Sequence, residues 1–366
     1  MKQEVGIIRE KDFRFTLDET AGALGDFGTL LPIVIGVSVA TDMDLSRMLF
    51  FFAIAYIGTG LYYKMPMPVE PMKVIGVIAI AEGLSSAEIA GAGIGMGLIL
   101  FLVGITGMMV FIKRVIPLPL VRGIQLGLAM TLSWQAFKMI WQDPLMGMVS
   151  ILIVLAYAKS TRLDISALVV FVLGIGVGVW RFGVPELALI RIPSFILPDA
   201  ANLMSGFVKG TLPQIPLTMG NAVLATSLLI SDLLDRQVKE KHLLYSMSAM
   251  CIFSVPFGGF PMCHGAGGLA AQYRFGARTG GSNIISGLIL LFVAVFFATP
   301  ELELIIPFGA LGALLFYSGL SLFRTSQKTG DMVFTWITGM AAFVFGMTWA
   351  FLGMFIFGLI KSRRKG

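Results

Sequence analysis

Cysteine and charge are what this chain has least of. Only Cys251 and Cys263 occur in 366 residues, both inside apolar surroundings, so no disulfide framework is expected. Cys263 beside His264 offers two metal ligands without a matching second pair, too few for zinc, and no metal site or other cofactor is expected. Charged residues make up 13% of the chain, against about 25% in a soluble domain. With 57% of residues hydrophobic, almost the whole length must face lipid or other apolar helices. The net charge of +6 does not mark a nucleic-acid partner, because the basic residues sit in short loops where they set topology. The polar first 17 residues carry Lys2, Arg9, Lys11 and Arg14 but no apolar core or cleavage site, so no cleaved signal peptide is expected.

What is plentiful fits a polytopic membrane protein. Forty-three glycines let helices approach closely in lipid, and 22 methionines fill the gaps. Runs long enough for a spanning helix, roughly 20 residues, fall at about 18–40, 46–63, 86–112, 117–141, 144–158, 164–181, 213–234, 242–256, 281–299 and 304–323. The run Asp331–Ile360 reads as one long helix or as two short ones hinged near Gly346, counted as two. Val74–Ala81 and Ala266–Phe275 are too short to span, and each follows a proline-bearing stretch, "MPMPVEP" and "GGFPMCHG".

Counted together these make fourteen elements, and the charges test the count. With the N-terminus in the cytoplasm, Lys113/Arg114, Lys159/Arg162, Arg236/Lys239/Lys241, Arg274/Arg278, Arg324/Lys328 and "KSRRKG" fall inside. Arg47, Lys138, Arg181, Arg191 and Lys209 fall outside with Glu301 and Glu303, a positive-inside bias that places both termini in the cytoplasm, in a cell (plasma) membrane. Dropping either half-helix would put the basic loops on opposite sides.

Landmarks also recur in order. "VIPLPLVRGIQLGLAMTL" resembles "IIPFGALGALLFYSGLSL", aligning Pro117 with Pro307; Pro66 aligns with Pro261, and Asp26 with Asn221. Seven elements is an odd number, so the second copy enters the membrane inverted, an arrangement typical of transporters. The expected organisation is a cytoplasmic segment 1–17, a first repeat 18–182, an extracytoplasmic connector 183–212, a second repeat 213–360 and a basic cytoplasmic tail 361–366, with no C-terminal soluble domain. The fold class is an all-α polytopic membrane protein with seven-plus-seven inverted repeats and two half-helices, each preceded by a short extended strand.

Irregular backbone at membrane depth is tolerated only where protein or a water-filled cavity covers it. Pro66, Pro68, Pro71 and Pro261 keep the chain extended, and "MPMPV" and "FPMCH" are expected to pair as short strands. Each feeds a half-helix whose unpaired N–H groups and partial positive charge attract anions. Gly265, Gly267 and Gly268 leave backbone amides uncovered, so an oxyanion can approach them.

"AGALGDFGTLLPI", "MPMPVEPMKVIGVIAI", "PQIPLTMGNAV" and "PMCHGAGGLAAQYRFGARTG" together resemble the molybdate transporter family, distantly related to the SulP sulfate transporters. The resemblance implies secondary transport of a tetrahedral oxyanion, molybdate with sulfate as the alternative, on the core-and-gate fold shared with uracil permease. Carried over by position, it implies a substrate site lined by Gly25, Asp26 and Thr29, by Pro68, Val69, Glu70, Pro71, Met72 and Lys73, by Gln214 and Asn221, and by Cys263, His264, Gly265, Ala266 and Gly267. The family usually has Gln where this chain has Glu70. A carboxylate beside an anion repels it unless protonated or paired with Lys73, which points to proton coupling.

Each residue also has a plainer reading. Asp26, an ionisable group in a span, is a functional candidate by default; otherwise it pairs with Lys73 or caps a helix break. Asp26 and Glu70 are the candidates for the coupling proton, with Lys73 adding positive potential. Glu70 and Lys73, three apart, can simply pair. Gln214, Thr218 and Asn221 share a helix face and either donate to substrate oxygens or glue helices together. His264 is a ligand or a satisfied buried donor. Arg274 and Arg278 are explained by topology and by the C-terminal helix dipole, with a binding role as the alternative.

A nucleobase-like permease of the same fold would carry paired acidic residues on the eighth and tenth segments, where this chain has Gln214, Asn221 and "CHGAGG". An uncoupled anion channel differs in lacking concentrative uptake. An enzyme built on Cys263 and His264 is disfavoured because neighbours on an extended chain point to opposite faces. The expected partners are the small oxyanion and the lipid bilayer, with homodimerisation left open.

Overall fold

The computed structural model describes residues 12–109, 111, 117–158, 166–184, 186–190, 195, 197–297 and 307–363. Lys2, Arg9, Lys11, Lys113, Arg114, Lys159, Arg162, Arg191, Glu301, Glu303 and residues 364–366, on which part of the expected charge asymmetry rests, lie outside the described residues.

The first apolar run is not one helix. It breaks at Gly25–Asp26 into α1 (Leu17–Leu24) and α2 (Phe27–Ala40). Helix α3 (Leu45–Tyr63) leads into an extended stretch ending in strand β1 (Glu70–Pro71), and half-helix α4 (Lys73–Glu82) follows. The first group ends with α5 (Ser86–Thr106), started by a full capping box between Ser85 and Glu88. Next come α6 (Leu118–Gln142), α7 (Pro144–Ala158) and α8 (Ser166–Phe182). Helix α9 runs from Ala200 to Leu234, beginning well before the expected start near 213. Helix α10 (Glu240–Ser254) leads to strand β2 (Met262–Cys263), half-helix α11 (Ala266–Arg274) and α12 (Gly280–Phe296). The chain closes with α13 (Phe308–Ser326), α14 (Met332–Phe345) and α15 (Met347–Arg363), hinged at Gly346, whose φ of 88° lies in the region glycine tolerates.

The packing carries the repeat. Pro117 is the N-cap of α6 and Pro307 the N-cap of α13. These two helices lie so close that a Cβ on Gly312 would come within 2.8 Å of the Ala136 carbonyl oxygen. The α3–α12 pair is as tight, Gly287 facing the Ala53 carbonyl at 2.7 Å from where its Cβ would stand, and α5 packs on α10 in the same way around Gly97. Exchanging the two repeats turns the α3–α12 pair into the α10–α5 pair, as inverted symmetry requires.

Helices α6, α7, α8, α13, α14 and α15 pack largely on one another, while α1–α5 and α9–α12 form the group that holds both half-helices. Outward faces remain apolar, with Leu152, Trp180, Phe253, Phe292, Val333 and Trp349 all exposed. Among the described residues, five helical segments are long and apolar enough to cross a membrane, α1 and α2 together counting as one. Large exposed apolar side chains around a dry core are what a bilayer solvent selects.

Candidate anion site at the half-helix N-termini

The two strands pair antiparallel, Glu70 opposite Cys263 and Pro71 opposite Met262. The pairing falls at the end of "MPMPVEP", slightly beyond the expected "MPMPV", and the Met72 amide extends it by donating to the Pro261 carbonyl at 2.9 Å. Proline cannot donate to a ladder, so the surroundings complete the hydrogen bonding of the extended stretch. Asn283 on α12 brackets Met67, accepting from its amide at 3.1 Å and donating to its carbonyl at 2.5 Å. The His264 ring reaches the Pro68 carbonyl through Nδ1 at 2.8 Å and Ser246 through Nε2 at 2.7 Å. Both nitrogens are therefore occupied. A carbonyl can only accept, so Nδ1 carries the proton and Nε2 accepts from Ser246. His264 braces the two extended stretches, in agreement with its plainer reading.

The crossed strands aim the first turns of α4 and α11 into one buried region. At α4 the Val74 amide is met by Gln214 Oε1 at 2.9 Å, and Gln214 Nε2 donates in turn to Thr218 at 2.9 Å. Gln214 and Thr218 do share a face, and they spend their hydrogen bonds on the protein. Two π-helical stretches of α9, Phe207–Thr211 and Thr218–Ala225, flank the Pro-containing turn that carries Gln214. Asn221 lies in the second stretch, half-buried. Thr226 fixes the other side by donating to the His264 carbonyl at 2.7 Å.

At α11 the surroundings are acidic. Glu70 is fully buried and forms an ion pair with Lys73 through Oε2. Asp26 is also fully buried; Tyr56 on α3 donates to its Oδ2 at 2.5 Å. Neither Asp26 Oδ1 nor Glu70 Oε1 meets a donor. Both oxygens converge on Gly268, where a Cβ would stand 2.8 Å from Glu70 Oε1 and closer still to Asp26 Oδ1. A Cβ on Gly265 would collide outright with the Glu70 carboxylate. Gly25 lets the helix break approach, since its Cβ would lie 2.9 Å from the Ala271 carbonyl oxygen of α11. Thr29 stands half-buried one turn beyond Asp26. On the opposite side Gly267 is exposed and a Cβ there would touch nothing within 4 Å. One flank of the turn is open and the other holds carboxylates.

The structure thus brings Asp26, Glu70, Lys73, Cys263 and Gly265–Gly267 together. Cys263 turns its thiol toward the Pro71 carbonyl, 4.0 Å away. Pro68, Val69, Pro71 and Met72 line the same buried crossing. Asp26 stands at the N-cap position of α2 without a side-chain capping bond, and Lys73 goes to Glu70 instead. Arg278 binds the Tyr273 and Ala277 carbonyls at 2.6 and 2.7 Å, closing the far end of α11 as the helix-dipole reading expects. Sequence reasoning missed Tyr56 and Asn283. A polar side chain inside an apolar span marked each, but nothing local named its partner.

A family model described as "Molybdate transporter of MFS superfamily" matches residues 18–132 and 206–322. The chain belongs to the molybdate transporter family. Molybdate transporter 2 of Arabidopsis thaliana is 32% identical over 374 residues, covering 84% of this chain and 78% of the relative. Among solved structures, the transmembrane domain of a cyanobacterial bicarbonate transporter, BicA, superposes with a TM-score of 0.67 at 17% identity, covering 93% of this chain and 96% of that one. The murine Solute Carrier 26 family member A9 anion transporter in the inward-facing state gives 0.67 at 12% identity, covering 98% and 69%. This member of the molybdate transporter family therefore has the seven-plus-seven inverted-repeat fold, and not the two six-helix halves that an MFS superfamily name implies. It is a multi-pass membrane protein of an anion-transporter family.

Proposed function

We propose that this protein moves a tetrahedral oxyanion, molybdate before sulfate, across the cell membrane by alternating access of the half-helix group against the α6–α8 and α13–α15 group. Both termini face the cytoplasm, with the first repeat at 18–182 and the second opening on α9, whose helix reaches back to Ala200 into the expected connector 183–212; the chain does no covalent chemistry. The antiparallel crossing of Glu70–Pro71 with Met262–Cys263 carries the reading, because it aims two helix N-termini into one buried region. The substrate is held by backbone amides at the starts of α4 and α11, among Gly25, Asp26, Thr29, Pro68–Lys73, Gln214, Thr218, Asn221 and Cys263–Gly267.

Charge arithmetic supports proton coupling. Two buried carboxylates and one ammonium leave the region negative before any anion arrives. Like charges in a dry site repel strongly, so a divalent oxyanion enters with at least one proton. Asp26 Oδ1 and Glu70 Oε1, both without donors, are where a proton converts two mutually repelling acceptors into acceptor and donor. Proteoliposomes carrying the purified chain test this. Labelled molybdate should accumulate against its gradient when the outside is acidified, with tungstate competing best and sulfate and selenate less. Equilibration without accumulation would make the protein a channel; stronger competition by sulfate would reassign the substrate.

A further inference from the structure

We propose that Glu70 is the resident anion of the substrate seat: its carboxylate lies over Gly265–Gly268, where an oxyanion must bind, and substrate binding displaces it. The inference rests on the oxyanion reading above and says what fills the seat before substrate does.

Three observations carry it. Glycine at 265 is needed to admit the Glu70 carboxylate, since any side chain there collides with it. Glu70 Oε2 is held by Lys73, while Oε1 is fully buried, has no donor and faces the first turn of α11, so that oxygen is left to the electrostatics of the turn. The flank at Gly267 is open, which provides an approach for an incoming anion on the side Glu70 does not cover. The groups facing Glu70 are Lys73 on α4, Asp26 at the α1–α2 break, Tyr56 on α3 behind Asp26, Cys263 on β2 and His264 at the start of the turn. Lys73 is the cation among them and pairs with Glu70 before substrate arrives; the displaced carboxylate is the group that takes up a proton. Seat and substrate thereby exchange one negative group for another, and acid favours the exchange by removing the charge of the occupant.

The test is molybdate binding to the full-length chain in nanodiscs, by calorimetry between pH 6 and pH 8, with tungstate and sulfate alongside. Wild-type affinity should fall as pH rises. Glu70→Gln should bind about tenfold or more tightly than wild type at pH 8, and its pH slope should drop by about one proton per bound anion. Glu70→Ala, which empties the seat, should move in the same direction. On wild-type protein, infrared difference spectra on adding molybdate at pH 8 should show a carboxylate converting to its acid, a readout that needs no variant to fold. Unchanged or weaker binding in both variants, with wild type binding normally, overturns the displaced-carboxylate idea and leaves the transport reading intact. If neither wild type nor the variants bind any of the three oxyanions, both readings fall together.

Discussion

The half-helices α4 and α11 occupy equivalent places in the two repeats, yet their first turns are furnished differently. Gln214 caps the Val74 amide of α4 with a neutral amide oxygen, a group that never changes charge. Over α11 stand Glu70 and Asp26, two carboxyls with facing oxygens that lack donors. Inverted repetition thus equalises backbone geometry and leaves chemistry free to diverge: one end carries a neutral partner of fixed charge, the other carboxyls whose charge can change.

That contrast can be broken from either side. The largest effect should come from Lys73→Met, which strands Glu70 without its counter-ion; removing one partner of a buried pair costs about 3–5 kcal/mol. The melting temperature in detergent should drop sharply, and Lys73→Met combined with Glu70→Gln should recover part of the loss. A single variant as stable as wild type would show that the pair does not hold the site together. Gln214→Leu uncaps the Val74 amide, at about 1–3 kcal/mol for a buried donor left unmet. Because the carboxyls are untouched, the pH slope of molybdate binding should keep its wild-type value; a changed slope would mean the two turns are not separable. Ser246→Ala should do least, about 1 kcal/mol for one hydrogen bond to His264, with oxyanion affinity unchanged. A large loss of affinity would make His264 a substrate ligand after all.

Much of this arrangement was legible in the residues. Glu70 and Lys73, three apart at a helix start, pair as their spacing allows. The prolines before α4 and α11 announce extended chain, and the two extended pieces do pair. Gly346 marks the hinge of the closing helices. Two features were hidden. The run expected at 213–234 opens on Pro213, with Pro216 one turn on, a place where a helix tolerates proline. In the structure they sit inside α9, with π-helical stretches on either side, where local widening re-satisfies freed backbone groups. The partner of Asp26 was also hidden, because Tyr56 lies on another helix and no spacing rule connects them.

Residence in a bilayer, the number of segments and the extended stretches before the two half-helices belong to the sequence alone. Each follows from local composition: transfer from water to lipid is scored run by run, and proline and glycine act where they stand. Which group faces which was decided only by the folded chain. Glu70 meets Gly265, Asp26 meets Tyr56 and Asn283 meets Met67 across long loops. In a dry interior the cost of a charge or a donor depends on its nearest neighbours, and those are chosen by packing and not by position along the chain.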